Sequence, residues 1–332
     1  MSEFISKKDL LTWLGQLMEE RNLVAPTRVD DLLLFSKIDQ VEDIVFDFDN
    51  TILSPKEWFY PSSETLFYVE QKDGQTELIP AVIEKETAIF GIRPCDAQGM
   101  AMNDYPFLEE PADDLYRQHR DKTALIGLAC ITACPECFCS SMGSGPHDPA
   151  NVDILLTEVA DGYIAQVLTD KGKALLPDNL LTTADVSSPP APVLSEVPSD
   201  GIAEKMRQAF DEPFWDRLAD RCIHCNICSY VCPTCYCFDV RDYTDKERIE
   251  RVRSWESCQS PGFTRIAGGH DPRSTKGSRL RQRFSHKLLY FPRQFGALGC
   301  IGCGRCVRAC PVNIDIREII QDVQQLEVKS EA

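Results

Sequence analysis

No stretch of this 332-residue chain reaches the roughly 18 consecutive apolar residues that a transmembrane helix requires. Its N-terminal segment, MSEFISKKDLLTWLGQLMEERN, has no uninterrupted apolar centre and no small-residue cleavage site. It is therefore not read as a secretory signal, and the expected location is cytoplasmic. Positive charge is also short. The formal net charge of -17 leaves little to meet phosphates, which excludes a general nucleic-acid or anionic-membrane binder. No G-x-G-x-x-G follows a strand-like run, so the usual dinucleotide fingerprint is missing, and Gly143-Ser144-Gly145 is too short to replace it. The five histidines (His119, His147, His224, His270 and His286) show no HExxH or other metal spacing.

What the chain has instead is cysteine, 16 in all. Disulfide scaffolds suit small secreted domains in oxidising compartments. This chain is long, lacks an export signal and sets its cysteines two or three residues apart, so metal or cluster ligation is the better account. Apolar content of 43% and charged content of 26% are those of an ordinary globular protein, which sets disorder aside.

The reading along the chain is α+β. Leu10, Trp13, Leu14, Leu17 and Met18 mark one buried helical face. Strand-like runs follow at Asp31–Phe35, Ile44–Phe48, Thr87–Ile92, Thr123–Ala129, Asp153–Thr157 and Tyr163–Val167. A mixed α/β domain is expected over residues 1–183. The Pro- and Ser-rich segment 184–200 reads as a linker. A mainly α-helical, ferredoxin-like dicluster domain is expected over 201–332, where most of the cysteines lie. Between residues 246 and 293 Arg and Lys are locally in excess, as a docking face, a solvated face or charges paired with cluster sulfides would require.

Two segments of that domain repeat one spacing. Cys222-x2-Cys225-x2-Cys228-x3-Cys232-Pro233 and Cys300-x2-Cys303-x2-Cys306-x3-Cys310-Pro311 are the bacterial-ferredoxin run, in which the fourth cysteine ligates the other cluster. A cubane offers four iron corners, each wanting a soft thiolate. Three closely spaced cysteines reach three corners, and the fourth points back toward the neighbouring cube. The first [4Fe–4S] centre is thus assigned to Cys222, Cys225, Cys228 and Cys310, the second to Cys300, Cys303, Cys306 and Cys232. Gly302 and Gly304 would let backbone approach the second cluster. Structural zinc usually shows two separate C-x2-C pairs and fits less well. His224, between two ligands, is placed to tune the first centre or to sit in a solvated loop.

A further concentration of thiols, Cys130-x3-Cys134-x2-Cys137-x-Cys139, contains the spacing of radical S-adenosylmethionine enzymes. Glu136 stands where those enzymes usually have an aromatic, and the motif follows a mid-domain strand. A radical enzyme is therefore the poorer reading. Cys95 and Cys130 each end a buried apolar strand and are expected at one edge of a sheet.

Taken together and in order, GIRPCDAQGMAM (91–102), GLACITACPECFCSSMGSGP (127–146), CxxCxxCxxxCPTCYCFDV (222–240), RSWESC (253–258), FTRIAGGH (263–270) and RLRQRFSHKLLY (279–290) carry a resemblance. The sequence resembles the family of iron–sulfur subunits found in anaerobic sulfite reductase and, as the beta subunit, in sulfhydrogenases. The resemblance implies a third [4Fe–4S] cluster in the N-terminal domain, held by Cys95, Cys130, Cys137 and Cys139; a zinc site from the same thiols stays open. It also agrees with the missing dinucleotide fingerprint in placing flavin and NAD(P)H on a separate partner subunit. The other partner, of the catalytic hydrogenase, sulfite reductase or heterodisulfide reductase type, would complete a multisubunit redox complex of anaerobic metabolism. Cys134, Cys235, Cys237 and Cys258 are left over, as inert buried thiols or as additional redox or cluster residues. Cubanes closed by four thiolates move single electrons, so a non-catalytic electron-transfer subunit is expected. The alternative is a sulfur or disulfide reductase that uses the leftover thiols.

Overall fold

The computed structural model describes residues 2–72, 74–245 and 248–326. Lys246, where the basic stretch begins, and residues 327–332 of the expected C-terminal domain lie outside them. The early strands are β1 (Ser2–Ser6), β2 (Asn22–Val29), β3 (Leu32–Lys37), β4 (Ser63–Lys72), β5 (Gln75–Pro80) and β6 (Thr87–Ile92). The later ones are β7 (Thr123–Leu128), β8 (Ile154–Val159), β9 (Gly162–Val167), β10 (Thr182–Ala184), β11 (Phe238–Asp245) and β12 (Arg248–Trp255). The chain divides into two compact units.

The first unit comprises the chain up to Phe59, Ile83–Glu196 and the short segment Ile301–Gly304. Its sheet runs β10-β1-β9-β8-β7-β6-β2-β3. The central pairs β2/β6, β6/β7 and β7/β8 are parallel, and the outer pairs are antiparallel. Every residue of β6 (TAIFGI) and β7 (TALIGL) is buried, as the continuous apolar runs of a doubly covered parallel sheet require. Helix α1 (Lys7–Glu20) is capped by the Ser6 hydroxyl, which accepts from the Asp9 N–H at 3.1 Å. Its buried face is Leu10, Trp13, Leu14 and Leu17, the expected stripe apart from Met18, which is only partly buried. One expectation fails. Ile44–Phe48 is not a strand but irregular chain after a short 3-10 turn, Val41–Asp43. Its apolar side chains pack on the core without joining the sheet ladder.

The second unit comprises Tyr60–Val82, Val197–Cys300 and the chain from Arg305 on. Helices Ile202–Gln208, Phe214–Arg221, Lys276–Ser285 and Ile316–Gln325 carry much of it, with a π-helical stretch at His286–Tyr290. A four-stranded antiparallel sheet, β11-β12-β4-β5, stands beside them. The expectation of a mainly helical domain had no place for this sheet, because β4 and β5 come from a segment more than a hundred residues earlier. Inside it the Arg253 guanidinium pairs with Glu64 at 2.6 Å, with both side chains almost fully buried. That position is tenable because the cation also lies over the Tyr60 ring, 4.9 Å from its centroid.

Candidate metal centres

In the first unit, β6 and β7 run parallel, so the residues that follow them emerge at the same edge of the sheet. β6 passes into helix α2 (Pro94–Leu108), which opens with Pro94 and carries Cys95 in its first turn. β7 ends just before Cys130. Cys95, Cys130, Cys134, Cys137 and Cys139 then line one pocket. The loop between them is tied in place by its own backbone. Cys130 N–H donates to Pro146 O at 2.9 Å, Cys137 N–H to Cys134 O at 3.0 Å, and Phe138 N–H to Gly302 O at 2.8 Å. The Asn50 amide donates to Cys303 O at 3.1 Å, and Cys137 Sγ lies 3.7 Å from the same carbonyl.

Buried Arg93 holds the cavity floor, donating to the carbonyls of Leu128 and Ala129 at 3.1 Å each and to Phe48 O. Its guanidinium stacks 4.0 Å from the Phe48 ring centroid. Burial pushes the Cys130 thiol pKa up, with the Arg93 charge opposing the rise. Burial and the neighbouring Cys130 push Cys139 up to about 12. Such thiols ionise when a cation supplies the missing countercharge, which is the condition of a metal ligand. Cys134 and Cys137 are joined as a disulfide, three residues apart, so Cys95, Cys130 and Cys139 are the thiols here outside a disulfide.

In the second unit, Cys222, Cys225 and Cys228 of one motif and Cys310 of the other line a single pocket, with Cys306 beside them. Its walls are otherwise mostly apolar, among them Ile223, Leu280, Phe284 and Ile314. The chain turns tightly there through left-handed residues: His224 at φ 54° and Asn226 at φ 62° between the cysteines, and Asn313 at φ 55° after them. These turns aim N–H groups at sulfur. His224 N–H donates to Cys222 Sγ at 3.4 Å and Ile314 N–H to Cys310 Sγ at 3.2 Å. The Gln259 side chain donates to Cys228 Sγ at 3.3 Å. Donors of this kind stabilise thiolate charge and raise cluster potentials. Thus His224 touches the ligand set through its backbone, while burial and the nearby Arg279 and Lys276 keep its ring pKa low.

Of the residues expected at the second centre, Cys232, Cys300 and Cys306 belong to the second unit and Cys303 to the first. Cys232 is buried, and its pKa is held well down by a hydrogen bond from Cys235, with Lys287 and Arg283 adding to the effect. Lys287 is buried, with its ammonium on Thr234 Oγ1 at 2.7 Å and Gly299 O at 3.2 Å. Burial works against its charge, but the negative charge of the Cys232–Cys235 pair, carried by Cys232, outweighs it and holds its pKa high. Arg283, also buried, donates to Cys228 O at 3.0 Å and faces Cys228, Cys306, Cys235 and Cys232. Four positions apart, the two cations share a face of the helix and its π-helical extension. In the sequence they belong to a general basic stretch, and only their spacing within RLRQRFSHKLLY could have singled them out.

Among the described residues, no three or more ligand-type side chains stand close enough to hold a metal ion as they are. Cys222, Cys225, Cys228 and Cys310 nevertheless line one pocket with N–H groups directed at Cys222, Cys228 and Cys310, the donor set of an iron–sulfur protein of the dicluster class. Residues 221–314 match the family model described as 4Fe-4S dicluster domain. Over 326 residues the chain is 28% identical to "Sulfhydrogenase 2 subunit beta" of Pyrococcus furiosus, a match that covers 94% of this chain and 95% of that protein. No solved structure matches it. Residues 221–314 therefore carry a 4Fe–4S dicluster domain, and the chain as a whole is similar to a sulfhydrogenase beta subunit. It is an iron–sulfur electron-transfer subunit. Among the described residues, no helix is long and apolar enough to cross a membrane.

Proposed function

We propose that the chain relays single electrons through three [4Fe–4S] centres between two partners. One partner binds flavin and NAD(P)H, and the other is a catalytic subunit of hydrogenase type. One observation carries the reading: a pocket walled by three cysteines of one ferredoxin motif together with the third and fourth cysteines, Cys306 and Cys310, of the other. That crossing is what paired cubanes require and what two independent zinc knuckles would not produce. The first centre is held by Cys222, Cys225, Cys228 and Cys310, and the second by Cys300, Cys303, Cys306 and Cys232. The third takes Cys95, Cys130 and Cys139, with Cys137 freed when an external dithiol supplies two electrons and two protons to the Cys134–Cys137 bridge and itself becomes a disulfide. When bound, the clusters supply one-electron chemistry. The chain's own residues hold them, exclude water and set their potentials. The relative's name, a sulfhydrogenase subunit, supports the hydrogenase-type partner.

The test is made on the complex purified with its partners. Replacing Cys300 by Ser should abolish electron delivery to the catalytic partner while NAD(P)H-to-dye activity survives. Equal loss of both activities would mean that the chain does not lie between the two partners.

A further inference from the structure

Three thiols of the second unit have no place in these ligand sets: Cys235, Cys237 and Cys258. Cys237 immediately precedes β11, and Cys258 lies three residues beyond the last residue of β12. Just beyond the paired strands, Glu256 N–H donates to Cys237 O at 2.9 Å, which holds the turn bearing Cys258 against Cys237. Sulfur meets sulfur accordingly: the Cys258 thiol hydrogen-bonds with Cys237, and the Cys235 thiol with Cys232. Cys258 is buried, and Cys235 and Cys237 are half-buried.

The segment bearing Cys258 is fixed against the first ferredoxin motif. Gln259, its neighbour, donates to Cys228 Sγ at 3.3 Å and to Ser229 Oγ at 3.2 Å. Ser257 donates to Ser229 Oγ at 3.1 Å. Glu256 Oε1 accepts from Ser257 N–H at 2.7 Å and from the Ser260 hydroxyl at 2.6 Å. Cys258 is thus one residue from a side chain that touches the sulfur of a first-centre ligand.

We propose that Cys237 and Cys258 form a dithiol–disulfide couple that exchanges electrons with the adjacent iron–sulfur centres. The inference rests on the relay reading, because those centres are its redox partners. The step balances as follows. The disulfide, two protons and two electrons, one from each of two singly reduced centres, give two thiols and two oxidised centres. The reverse step breaks two S–H bonds, forms the S–S bond and releases both protons to water. A couple of this kind stores electrons in pairs beside carriers that pass them singly. It matches one-electron cubes to partners that handle hydride.

The test uses anaerobically purified protein with its clusters in place. Oxidised and dithionite-reduced samples are denatured in excess alkylating agent, and their peptides are read by mass spectrometry. The expected result is a Cys237–Cys258 linked peptide in the oxidised sample and two alkylated cysteines in the reduced one. Reductive titration should show wild type taking up about two electrons per chain more than Cys258→Ser at equal iron content. If Cys258→Ser loses its clusters, Cys237→Ala and the wild-type peptides carry the comparison. Normal clusters with no linked peptide and equal electron uptake would overturn the couple and leave the relay standing. A wild type without clusters would overturn both.

Discussion

Lys287 is a full positive charge placed among thiolates, where its effect on a cluster can be signed. A [4Fe–4S] centre with four thiolates becomes more negative on reduction, so a nearby cation favours the reduced state. Lys287→Met should therefore lower the midpoint potential of the second centre, by on the order of 100 mV for one lost partly screened charge. Lys287→Arg should recover most of that shift. An EPR-monitored redox titration checks it. An unchanged potential in Lys287→Met would show the ammonium to be structural only. His286, the preceding residue, gives a pH prediction. Burial and the charges of Lys287 and Arg273 hold its pKa down at about 4, against roughly 6.5 in an unfolded chain. Its Nε2 pairs with the Tyr236 hydroxyl at 3.1 Å. The unfolded chain binds the extra proton between these values, so stability rises with pH across the window. The contribution, at most about 3 kcal/mol, is complete above pH ~6.5 and lost as pH falls toward ~4. In denaturant melts across that range, wild type should lose stability relative to His286→Phe as pH falls, and an unchanged difference between the two would show that this residue does not carry the dependence.

At the scale of elements, the loop 301–304 shows what the glycines of a ferredoxin motif do in this chain. Gly302 has φ 66°, and a Cβ there would sit 2.6 Å from Cys139 N and from the Phe138 carbonyl. Gly304, at φ 72°, would collide with Glu136 backbone at 2.7 Å. By motif these glycines belong to the second cluster; the structure adds close packing against the loop that bears Cys137 and Cys139. Gly302→Ala should destabilise that loop by about 2 kcal/mol or more and reduce occupancy of the N-terminal centre, read as iron content and absorbance. Elements with strong local signals were legible. The α1 stripe and the runs of β6 and β7 announced themselves by period and composition, and Cys95 and Cys130 do fall at one sheet edge. The sheet β11-β12-β4-β5 was not legible. Its strands are largely exposed and rich in charged residues, and its pairings join segments far apart in sequence, so only the folded chain shows them. Ile44–Phe48 misled for the opposite reason: its apolar residues fill the core without extending a ladder.

For the molecule as a whole, the cysteine spacings pointed to a grouping of Cys222, Cys225 and Cys228, which lie within seven residues, with Cys310, and these four do line one pocket. The supporting groups were hidden. Gln259, Arg283, Lys287 and Asn50 reach the cysteines only through tertiary packing, and no local motif marks them. The central claim is that cubanes are held by ligands crossing between the two motifs. It is tested most directly by iron and sulfide analysis with EPR on anaerobically prepared wild type and Cys310→Ser. The account predicts about twelve irons per wild-type chain, the content of three cubanes. It also predicts that Cys310→Ser loses or alters the same EPR signal that Cys222→Ser does. Zinc in place of iron, or a Cys310→Ser protein with full iron and an unaltered spectrum, would contradict it.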